Sequence, residues 1–531
     1  MMTTSKSLTS SVMELSPISL VLLFLISILI VVSSRQRRIR TTSRRRPSGP
    51  RALPLIGSIH HLLTSQPEVA LRDLATKHGP VMYLRLGEVD NVVISSAAAA
   101  QEVLHAKDLS FASRPSLLVT EIIAYNNLDV GFAPYGPYWR ALRKLCTLEL
   151  LSARKVRQLA PIRDAEVMSL VRKIRDSAGD GEPVNLSRLL LSCANQITSV
   201  ATFGDRCGDE RRERFLSSMA VMLSYGSGFC ISDLFPSLWF VDTLIGTRRR
   251  LRRVHRQVDR LLDEIITECE VRRKERKMAN AASEEDCRQQ QGEGDLLSIM
   301  LRIRDEGELD FPIDTTNIKA VIMDLFTAGT ETTSTAAEWV MTELIRNPEI
   351  MAKVQAEIRQ AFNNKDPHEH ESQMDNLRYT RMVIKETLRL HPPVPILLPR
   401  LCRETCDVGG FEIVKGTRVI VNSWAMSRST EYWEDPEEFR PERFENSVID
   451  YRGAHYEYLP FGSGRRMCPG SGFGVATLES IVVRLLYYFD WSLPSGMRPE
   501  ELDMRTAVGA SARRKIELQL VASPYEVPLR T

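Results

Sequence analysis

Phe461-Gly-Ser-Gly-Arg-Arg-Met-Cys-Pro-Gly470 is the stretch that decides the fold of this 531-residue chain. An aromatic residue, spaced glycines and an arginine surround a single cysteine, Cys468. No second cysteine lies near it in sequence, which argues against a zinc knuckle and a CxxC redox pair. One thiolate framed by glycines suits an iron that takes one protein ligand and its other donors from a porphyrin.

The neighbours of Cys468 fit that interpretation. Gly464 and Gly470 would let the backbone approach sulfur and porphyrin, and Phe461 would pack on the same face. Arg466 is expected to pair with a propionate carboxylate. The alternative is a glycine turn that holds a buried cysteine as a small hydrophobic residue.

A second motif, Ala328-Gly-Thr-Glu-Thr-Thr333, lies in a long helical pattern that follows Pro312 and runs to about Arg346. Gly329 is costly inside a helix, and a bare backbone there would leave room for dioxygen. Thr332 is expected to bond back to a carbonyl one turn earlier. Glu331 and Thr332 form an acid–alcohol pair able to pass protons. The alternative is a polar helix patch with a small residue for close packing.

Two further pairs have helical spacing. Glu386 and Arg389 are three residues apart and share a helix face, although such a pair is usually a solvated ion pair of little energetic value. Trp139 and Arg143 are four residues apart and also share a face. On their own they are equally consistent with an amphipathic helix that buries its Trp and exposes its Arg.

Taken in order from residue 139 to 470, these motifs resemble those of the cytochrome P-450 superfamily. The spelling from Pro460 to Gly470 is similar to its plant microsomal members, the family 71 clan. The whole chain is similar to grass enzymes that oxidise diterpenes. The resemblance implies a mainly α fold with small β-sheets, the haem-thiolate fold, joined to an N-terminal transmembrane helix.

The resemblance also implies roles for particular residues. Haem b would take its axial thiolate from Cys468, and Trp139, Arg143, Arg400 and Arg466 would hold its propionates. Arg443 would join Glu386 and Arg389 in a buried structural triad. The candidates for lining an apolar substrate pocket are Val119, Ile122, Phe326, Ala328, Val394 and Ile396. Glu121 and Asp324 would give the substrate a polar contact if they face that pocket.

The N-terminus predicts a membrane anchor. Residues 15–32 are largely apolar and span roughly 27 Å as a helix. The arginines follow this run, so positive-inside logic places residues 1–14 in the lumen and the rest in the cytosol. Residues 33–57 form a basic, proline-rich connector, and residues 58–531 form the catalytic domain. We therefore expect a single-pass protein of the endoplasmic reticulum membrane, with a cleaved secretory signal as the alternative.

Composition adds limits to this interpretation. The formal net charge is only +3, and the arginine run adjoins the apolar segment, so nucleic acid is not an expected partner. The charged segment 271–293 predicts a surface loop. Strand-like runs occur at 81–86, 91–94, 417–421 and 516–521.

No flavin or nicotinamide fingerprint is present in the sequence. We therefore expect electrons from NADPH–cytochrome P-450 reductase, with a cytochrome b-type donor as a second source. Dioxygen and a small apolar plant metabolite, a (di)terpenoid, would be the substrates. The alternatives are a phenolic, fatty-acid or amino-acid-derived substrate, a reductase-independent haem-thiolate isomerase or dehydratase, and a non-catalytic haem protein.

Overall fold

The computed structural model describes residues 45–64, 66–177, 181–204, 207–226, 229–280, 294–307, 311–363, 365, 373–494, 496–507 and 509–525. Over these ranges the protein is mainly helical, and three small β-sheets accompany the helices. The mainly α fold with small sheets that the sequence predicted is therefore confirmed.

The α-helices are α1 (Pro67–His78), α2 (Ala97–Gln101), α3 (Leu118–Ile123), α4 (Pro137–Leu145), α5 (Ala153–Gln158), α6 (Ala160–Ser177), α7 (Leu186–Phe203), α8 (Asp209–Tyr225), α9 (Ile231–Leu234), α10 (Val241–Leu244), α11 (Thr247–Asn280), α12 (Leu296–Glu306), α13 (Thr315–Arg346), α14 (Pro348–Phe362), α15 (Arg378–Leu390), α16 (Ser423–Met426) and α17 (Ser471–Tyr488). Single π turns occur at Glu102–Ala106 and Cys146–Leu150. Short 3₁₀ turns occur at Ile59–Leu62, Asp108–Phe111, Pro236–Leu238, Met374–Asn376, Pro441–Phe444, Gly464–Arg466 and Pro499–Glu501.

The strands are β1 (Val81–Leu86), β2 (Val89–Ile94), β3 (Val184–Asn185), β4 (Arg400–Leu401), β5 (Cys406–Val408), β6 (Phe411–Ile413), β7 (Arg418–Val421), β8 (Phe489–Ser492) and β9 (Gln519–Pro524). The largest sheet has the order β1-β2-β7-β4, in which only the β2–β7 pair is parallel. The second sheet has the order β3-β9-β8, and β5 pairs with β6. The last predicted strand is shifted towards the C-terminus because β9 keeps its register with β8 as far as Pro524.

Helix α13 is the long helix that the sequence predicted. Asp314 caps it by accepting the Asn317 N–H at 2.9 Å, while the Asn317 side chain accepts the Asp314 N–H at 2.8 Å. This reciprocal cap satisfies donors that the first turn leaves unpaired. The helix ends at Arg346, because Pro348 starts α14.

The core places α13 opposite the cysteine loop. Buried residues of α13, including Val340 and Leu344, share one hydrophobic cluster with Ile197 of α7 and Leu478 of α17. Helix α17 begins directly after the Cys468 loop. Because α17 packs on α13, that loop faces the middle of the long helix.

Residues 271–280 differ from the prediction of a loop, because α11 continues through Asn280. Ion pairs join this part of α11 to α12. Arg273 lies 3.2 Å from Asp305, and Glu270, just before the stretch, lies 2.9 Å from Arg304. Residues 281–293 lie outside the described residues, as do the predicted segments 1–14 and 15–32 and the connector up to residue 44. Among the helices that the structure does describe, none combines the length and apolarity needed to cross a bilayer.

Candidate active site

The cysteine loop is a tight structure that depends on glycine. Gly464 has a φ of +69°, and a Cβ there would lie 2.1 Å from the carbonyl oxygen of Leu104. The N–H of Cys468 donates to the Phe461 carbonyl at 3.0 Å, and the N–H of Met467 donates to the Gly464 carbonyl at 3.0 Å. These contacts fix the backbone that carries the thiol.

Two cysteines line the cavity above this loop, Cys468 and Cys146. Burial raises the pKa of both thiols, that of Cys146 to about 12. For Cys468, the backbone N–H of Gly470 and the nearby Arg143 guanidinium oppose that rise in pKa. A hydrogen bond and a nearby cation favour the charged form of a thiol, so these two groups partly offset the effect of burial on the Cys468 pKa.

The cavity lies between the cysteine loop and α13 and has a volume of about 350 Å³. On the loop side it is lined by Pro460, Phe461, Cys468 and Gly470. On the α13 side it is lined by Asp324, Thr327, Ala328, Glu331 and Thr332. Most of the remaining wall is apolar and includes Leu223, Leu325, Val394, Leu397, Leu398 and Ala510. The site is therefore a largely apolar chamber with a thiol at one face and a polar helix stretch at the other.

The polar stretch of α13 has defined hydrogen bonds. The Thr332 hydroxyl donates to the carbonyl of Ala328 at 2.7 Å, one turn earlier. The carboxylate of Glu331 is buried and accepts the Ser511 hydroxyl at 2.7 Å. Both the acid and the alcohol of this predicted pair therefore line the cavity wall.

Gly329 lies both at the cavity wall and at the contact between α13 and α7. Its backbone lines the cavity, and a Cβ at this position would lie 3.0 Å from Oγ1 of Thr198 on α7. The missing side chain therefore allows α7 to pack closely on α13, as the close-packing alternative predicts. Space for dioxygen beside this backbone stays a prediction.

Four arginines line the loop side of the cavity: Arg114, Arg143, Arg400 and Arg466. Arg400 donates to Asp108 at 2.8 Å and to the Ser463 carbonyl at 2.8 Å. Arg143 donates to the Met467 carbonyl at 2.6 Å. These contacts hold the two guanidinium groups against the cysteine loop.

Arg114 and Arg466 instead hydrogen-bond to backbone carbonyl groups. Arg114 donates to the carbonyls of Gly131 and Pro399, and Arg466 donates to that of Ala112 at 2.6 Å. Burial and the nearby charge of Arg400 lower the pKa of Arg466 to about 9, and the same causes lower that of Arg114. Asp129 lies near both guanidinium groups and partly opposes this lowering of their pKa values.

Trp139 differs from the expectation that its indole N–H would bind a propionate. The indole N–H donates to the carbonyl of Val130 at 2.9 Å. The Arg466 guanidinium lies 4.1 Å from the centroid of the indole ring. Trp139 therefore supports Arg466 by a cation–π contact.

Comparison with known proteins shows what this chain is similar to. The family model described as "Cytochrome P450" matches residues 47–520. The chain belongs to the cytochrome P450 family. It is 58% identical to cytochrome P450 99A2 of rice (Oryza sativa subsp. japonica), which covers 96% of this chain and 93% of the relative. It is 57% identical to the 9-beta-pimara-7,15-diene oxidase of rice, over 96% of this chain and 97% of the relative.

Two less similar proteins extend the comparison. Premnaspirodiene oxygenase of Hyoscyamus muticus is 44% identical, over 96% of this chain and 98% of the relative. A zebra fish cytochrome P450 structure with abiraterone has a TM-score of 0.69 and 24% identity, covering 87% of this chain and 100% of that one. The second comparison shows the shared fold alone.

Cytochromes P450 are haem-thiolate monooxygenases, and the cavity fits that cofactor. The Cys468 thiol opens onto it, and the cations of Arg114 and Arg466 would be offset by the two propionate carboxylates. When bound, the thiolate-ligated haem supplies an iron centre that activates dioxygen. In this cytochrome P450 the arginines would orient the cofactor, and the N–H of Gly470 donates to the Cys468 sulfur.

The ExxR residues of this cytochrome P450 form a buried triad. Glu386 and Arg389 are fully buried, with contacts of 2.7 and 2.8 Å between their two pairs of polar atoms. Arg443 donates to the same carboxylate at 2.9 Å. Arg389 also donates to the carbonyls of Ser427 and Pro436, at 2.6 and 2.7 Å. This network ties α15 to the Pro441–Phe444 turn and touches no cavity atom, which is consistent with a structural role.

Only two of the six predicted substrate contacts, Ala328 and Val394, line the cavity. Phe326 is fully buried on the other side of α13, where it packs against Phe203 and Phe215. Two residues of helix turn the chain by about 200°, so Phe326 and Ala328 face opposite ways.

The other three predicted contacts are also placed elsewhere. Val119 and Ile122 of α3 pack in a cluster with Leu251 of α11. Ile396 packs in the cluster that contains Met82 and Leu84 of β1. These apolar residues fill small cores around the cavity wall and do not form its lining.

The sequence analysis missed Arg114 and Asp129. Arg114 is a single arginine before Pro115, and no spacing linked it to the other arginines. Asp129 is buried beside Gly131, and burial together with Asp324 raises its pKa well above the usual carboxyl value. Neither residue belongs to a recognisable motif, because only folding brings Arg114 to the cavity wall and Asp129 close to Asp324.

Proposed function

We propose that this cytochrome P450 oxidises a terpenoid, most closely a diterpenoid, and is anchored in the endoplasmic reticulum membrane. The observation that carries the substrate assignment is the largely apolar cavity between Cys468 and Thr332. Such a wall selects a hydrocarbon skeleton by shape. The names of a rice diene oxidase and of a premnaspirodiene oxygenase among its relatives support this substrate class.

Different residues of the chain have different roles in the proposed function. The apolar wall, which includes Leu325 and Val394, binds the skeleton and excludes water. Glu331 and Thr332 hold and pass protons at the distal face. The arginines hold the propionates, and Cys468 ligates the metal.

Electrons would come from NADPH through the membrane-bound reductase, with a cytochrome b-type protein as a second donor. Arg465 of the cysteine loop supports this proposal, because its side chain is 51% exposed. Arg452 is 83% exposed and adjoins Gly453, where a Cβ would lie 3.2 Å from the Met467 sulfur. An acidic partner surface could approach the thiolate side of the cofactor through these cations.

The membrane proposal rests on the sequence of residues 15–32 and gains support from an exposed apolar surface. Trp239, Leu244 and Ile245 are 58%, 77% and 62% exposed. The exposed cations Arg249 and Arg250 follow directly. Apolar residues next to cations suit an anionic lipid surface. Alkaline extraction and protease protection of microsomes test the membrane proposal. Release of the protein by carbonate would contradict the anchor, and a protease-protected catalytic domain would contradict its cytosolic location.

The competing function is a haem-thiolate isomerase or dehydratase that needs no reductase. The Glu331–Thr332 pair at the cavity wall disfavours it, because that chemistry needs no proton relay. Phenolic, fatty-acid and amino-acid-derived substrates are the competing substrate classes. The apolar lining disfavours the more polar members of these classes.

Microsomes that contain this protein and a plant reductase provide the test. They are incubated with labdane- and pimarane-type diterpenes, sesquiterpenes and phenolics, and products are identified by mass spectrometry. We expect NADPH-dependent addition of one oxygen atom to a terpenoid. Equal product without NADPH would contradict the monooxygenase, and oxidation of phenolics alone would contradict the terpenoid assignment.

A further inference from the structure

Asp324 is an acid in the cavity wall, which Arg114, Gly131 and Leu325 also line. Asp324 lies on α13, two turns before Thr332, and lines the cavity. Its Oδ2 accepts the N–H of Gly131 at 2.8 Å. A Cβ at Gly131 would lie 3.2 Å from Oδ1 of Asp324 and 3.3 Å from Oδ2 of Asp129. The Asp324 carboxyl group thus stands between the loop at Gly131 and the cavity.

Asp324 retains hydrogen-bonding capacity. A carboxylate has two oxygens with about four acceptor positions in all, and the loop amides of Gly131 and Val130 use two of them. Burying a carboxyl group at an apolar surface is unfavourable unless it finds partners. A substrate group would be a suitable further partner, because Asp324 lines the cavity on its α13 side.

Thr327 gives the same wall a second polar group. It lies three residues after Asp324, so both share one face of α13, and both line the cavity. The Thr332 hydroxyl, in contrast, already donates a hydrogen bond to the Ala328 carbonyl at 2.7 Å. The Ser511 hydroxyl is donated to Glu331 at 2.7 Å.

Glu121 is the other acid that the sequence suggested as a polar contact for the substrate, and its position excludes that role. It is exposed on α3 and lies 3.4 Å from Arg248 of α11. It is not among the residues that line the cavity within the described part of the chain. Asp324 alone of these two acids can meet a substrate.

We propose that Asp324, with Thr327, is a specificity determinant that hydrogen-bonds a hydroxyl group on the substrate. The preferred substrate is then a terpenoid alcohol, and an earlier hydroxylation of the hydrocarbon must supply it. This inference rests on the proposed terpenoid function and deepens it. It adds a required polar group to a skeleton otherwise held by shape.

A hydroxyl group suits Asp324 in either protonation state. Burial raises the pKa of Asp324, whereas the N–H groups of Gly131 and Val130 and the charges of Arg114 and Arg466 oppose that rise. An ionised carboxylate accepts a hydrogen bond from the alcohol, and a protonated carboxyl donates one to it. A carbonyl or ether oxygen could only accept, so it would bind one of the two states alone.

The wild-type holoenzyme gives the first test. Spectral titration measures Kd for a pimaradiene hydrocarbon and for a panel of its mono-alcohols with the hydroxyl at different carbons. We expect at least one alcohol to bind about 10-fold or more tightly than the hydrocarbon, as for a hydrogen bond to an ionisable group. If the hydrocarbon binds as tightly as every alcohol, the inference is overturned while the terpenoid function stands.

Variants give the second test. Asp324→Leu and Thr327→Val should each reduce the alcohol preference several-fold with little change in hydrocarbon binding. Glu121→Gln is the matched control and should leave the preference unchanged. An unchanged preference in Thr327→Val and in a correctly folded Asp324→Leu would refute the assignment.

Two outcomes distinguish failure of the Asp324 assignment from failure of the proposed terpenoid function. If Asp324→Leu loses the Cys468-dependent carbon monoxide spectrum, Thr327→Val and the wild-type titration decide the question without it. If no terpenoid binds or reacts while phenolics do, the proposed function fails and takes this inference with it.

Discussion

Oγ1 of Thr332 donates a hydrogen bond to the carbonyl of Ala328 at 2.7 Å, inside the helix that forms one wall of the cavity. This bond orients the hydroxyl on α13, and the preceding residue, the buried Glu331, lines the same cavity. The arrangement suits proton transfer at the distal face of the haem site.

Replacement of Thr332 tests that arrangement. Thr332→Ala should keep haem and NADPH consumption but reduce the fraction of NADPH that yields product, by about 10-fold or more if proton delivery follows typical acid–base effects. Parallel assays of NADPH, hydrogen peroxide and oxygenated product measure this fraction. Thr332→Ser keeps a hydroxyl and is the matched control. Normal coupling in the Ala variant would contradict the assigned role.

The buried triad should dominate stability near the cysteine loop. Arg443→Ala leaves Glu386 with one cationic partner fewer, and breaking such a pair costs on the order of 3–5 kcal/mol. We expect a lower Tm and poor haem retention at growth temperature. Glu437→Gln is the control, since Glu437 is 62% exposed and pairs with Arg428 at 3.0 Å. Equal Tm changes in the two variants would argue against the triad as a structural element.

The cysteine loop should tolerate no side chain at Gly464. Gly464→Ala puts a Cβ 2.1 Å from the Leu104 carbonyl oxygen at a φ of +69°, so the loop must move. We expect loss of most haem, measured by the haem-to-protein ratio. Gly472→Ala is the control, because a Cβ there meets nothing within 4 Å. A Gly464→Ala protein with full haem content would refute the packing argument.

The pKa of Asp129 predicts a pH effect on stability. Burial and Asp324 raise it well above the usual carboxyl value. The folded state then keeps a proton that the unfolded chain loses, so stability falls as pH rises from about 4 through the raised pKa. Asp129→Asn cannot ionise and should have a higher Tm than wild type at pH 8, with a smaller difference at pH 5.

Thermal unfolding across that pH range tests this effect in the holoenzyme. The exposed Asp73, which pairs with Arg72 at 3.0 Å, provides the control variant Asp73→Asn, with no expected change in the pH profile. A lower Tm of Asp129→Asn at pH 8 would show that the ionised carboxylate stabilises the folded state.

Local chemistry made parts of this structure predictable from the sequence. Asp314, which caps the start of α13, and Pro348, which begins the next helix, define the ends of α13. The Thr332 hydroxyl has one carbonyl within reach, one turn earlier, so its hydrogen bond follows from helix geometry. The strand-like runs at 81–86 and 417–421 located β1 and β7. The Glu386–Arg389 pair was visible from its spacing.

Long-range packing decided what could not be predicted. The sequence could not show that a Cβ at Gly329 would meet Thr198, because that residue belongs to another helix. Phe326 and Ile396 are apolar, and composition cannot tell a cavity wall from a nearby core. Arg114 joins the cation cluster only because the loop after it folds back towards Gly131.

The most direct test of the whole account is the carbon monoxide difference spectrum of the dithionite-reduced protein. It separates the two cysteines that line the cavity, because only a thiolate ligand gives the strongly red-shifted Soret band. We predict that Cys468→Ala loses this band and that Cys146→Ala keeps it. A folded Cys468→Ala protein that keeps the band, or a folded wild-type protein that never shows it, would contradict the account.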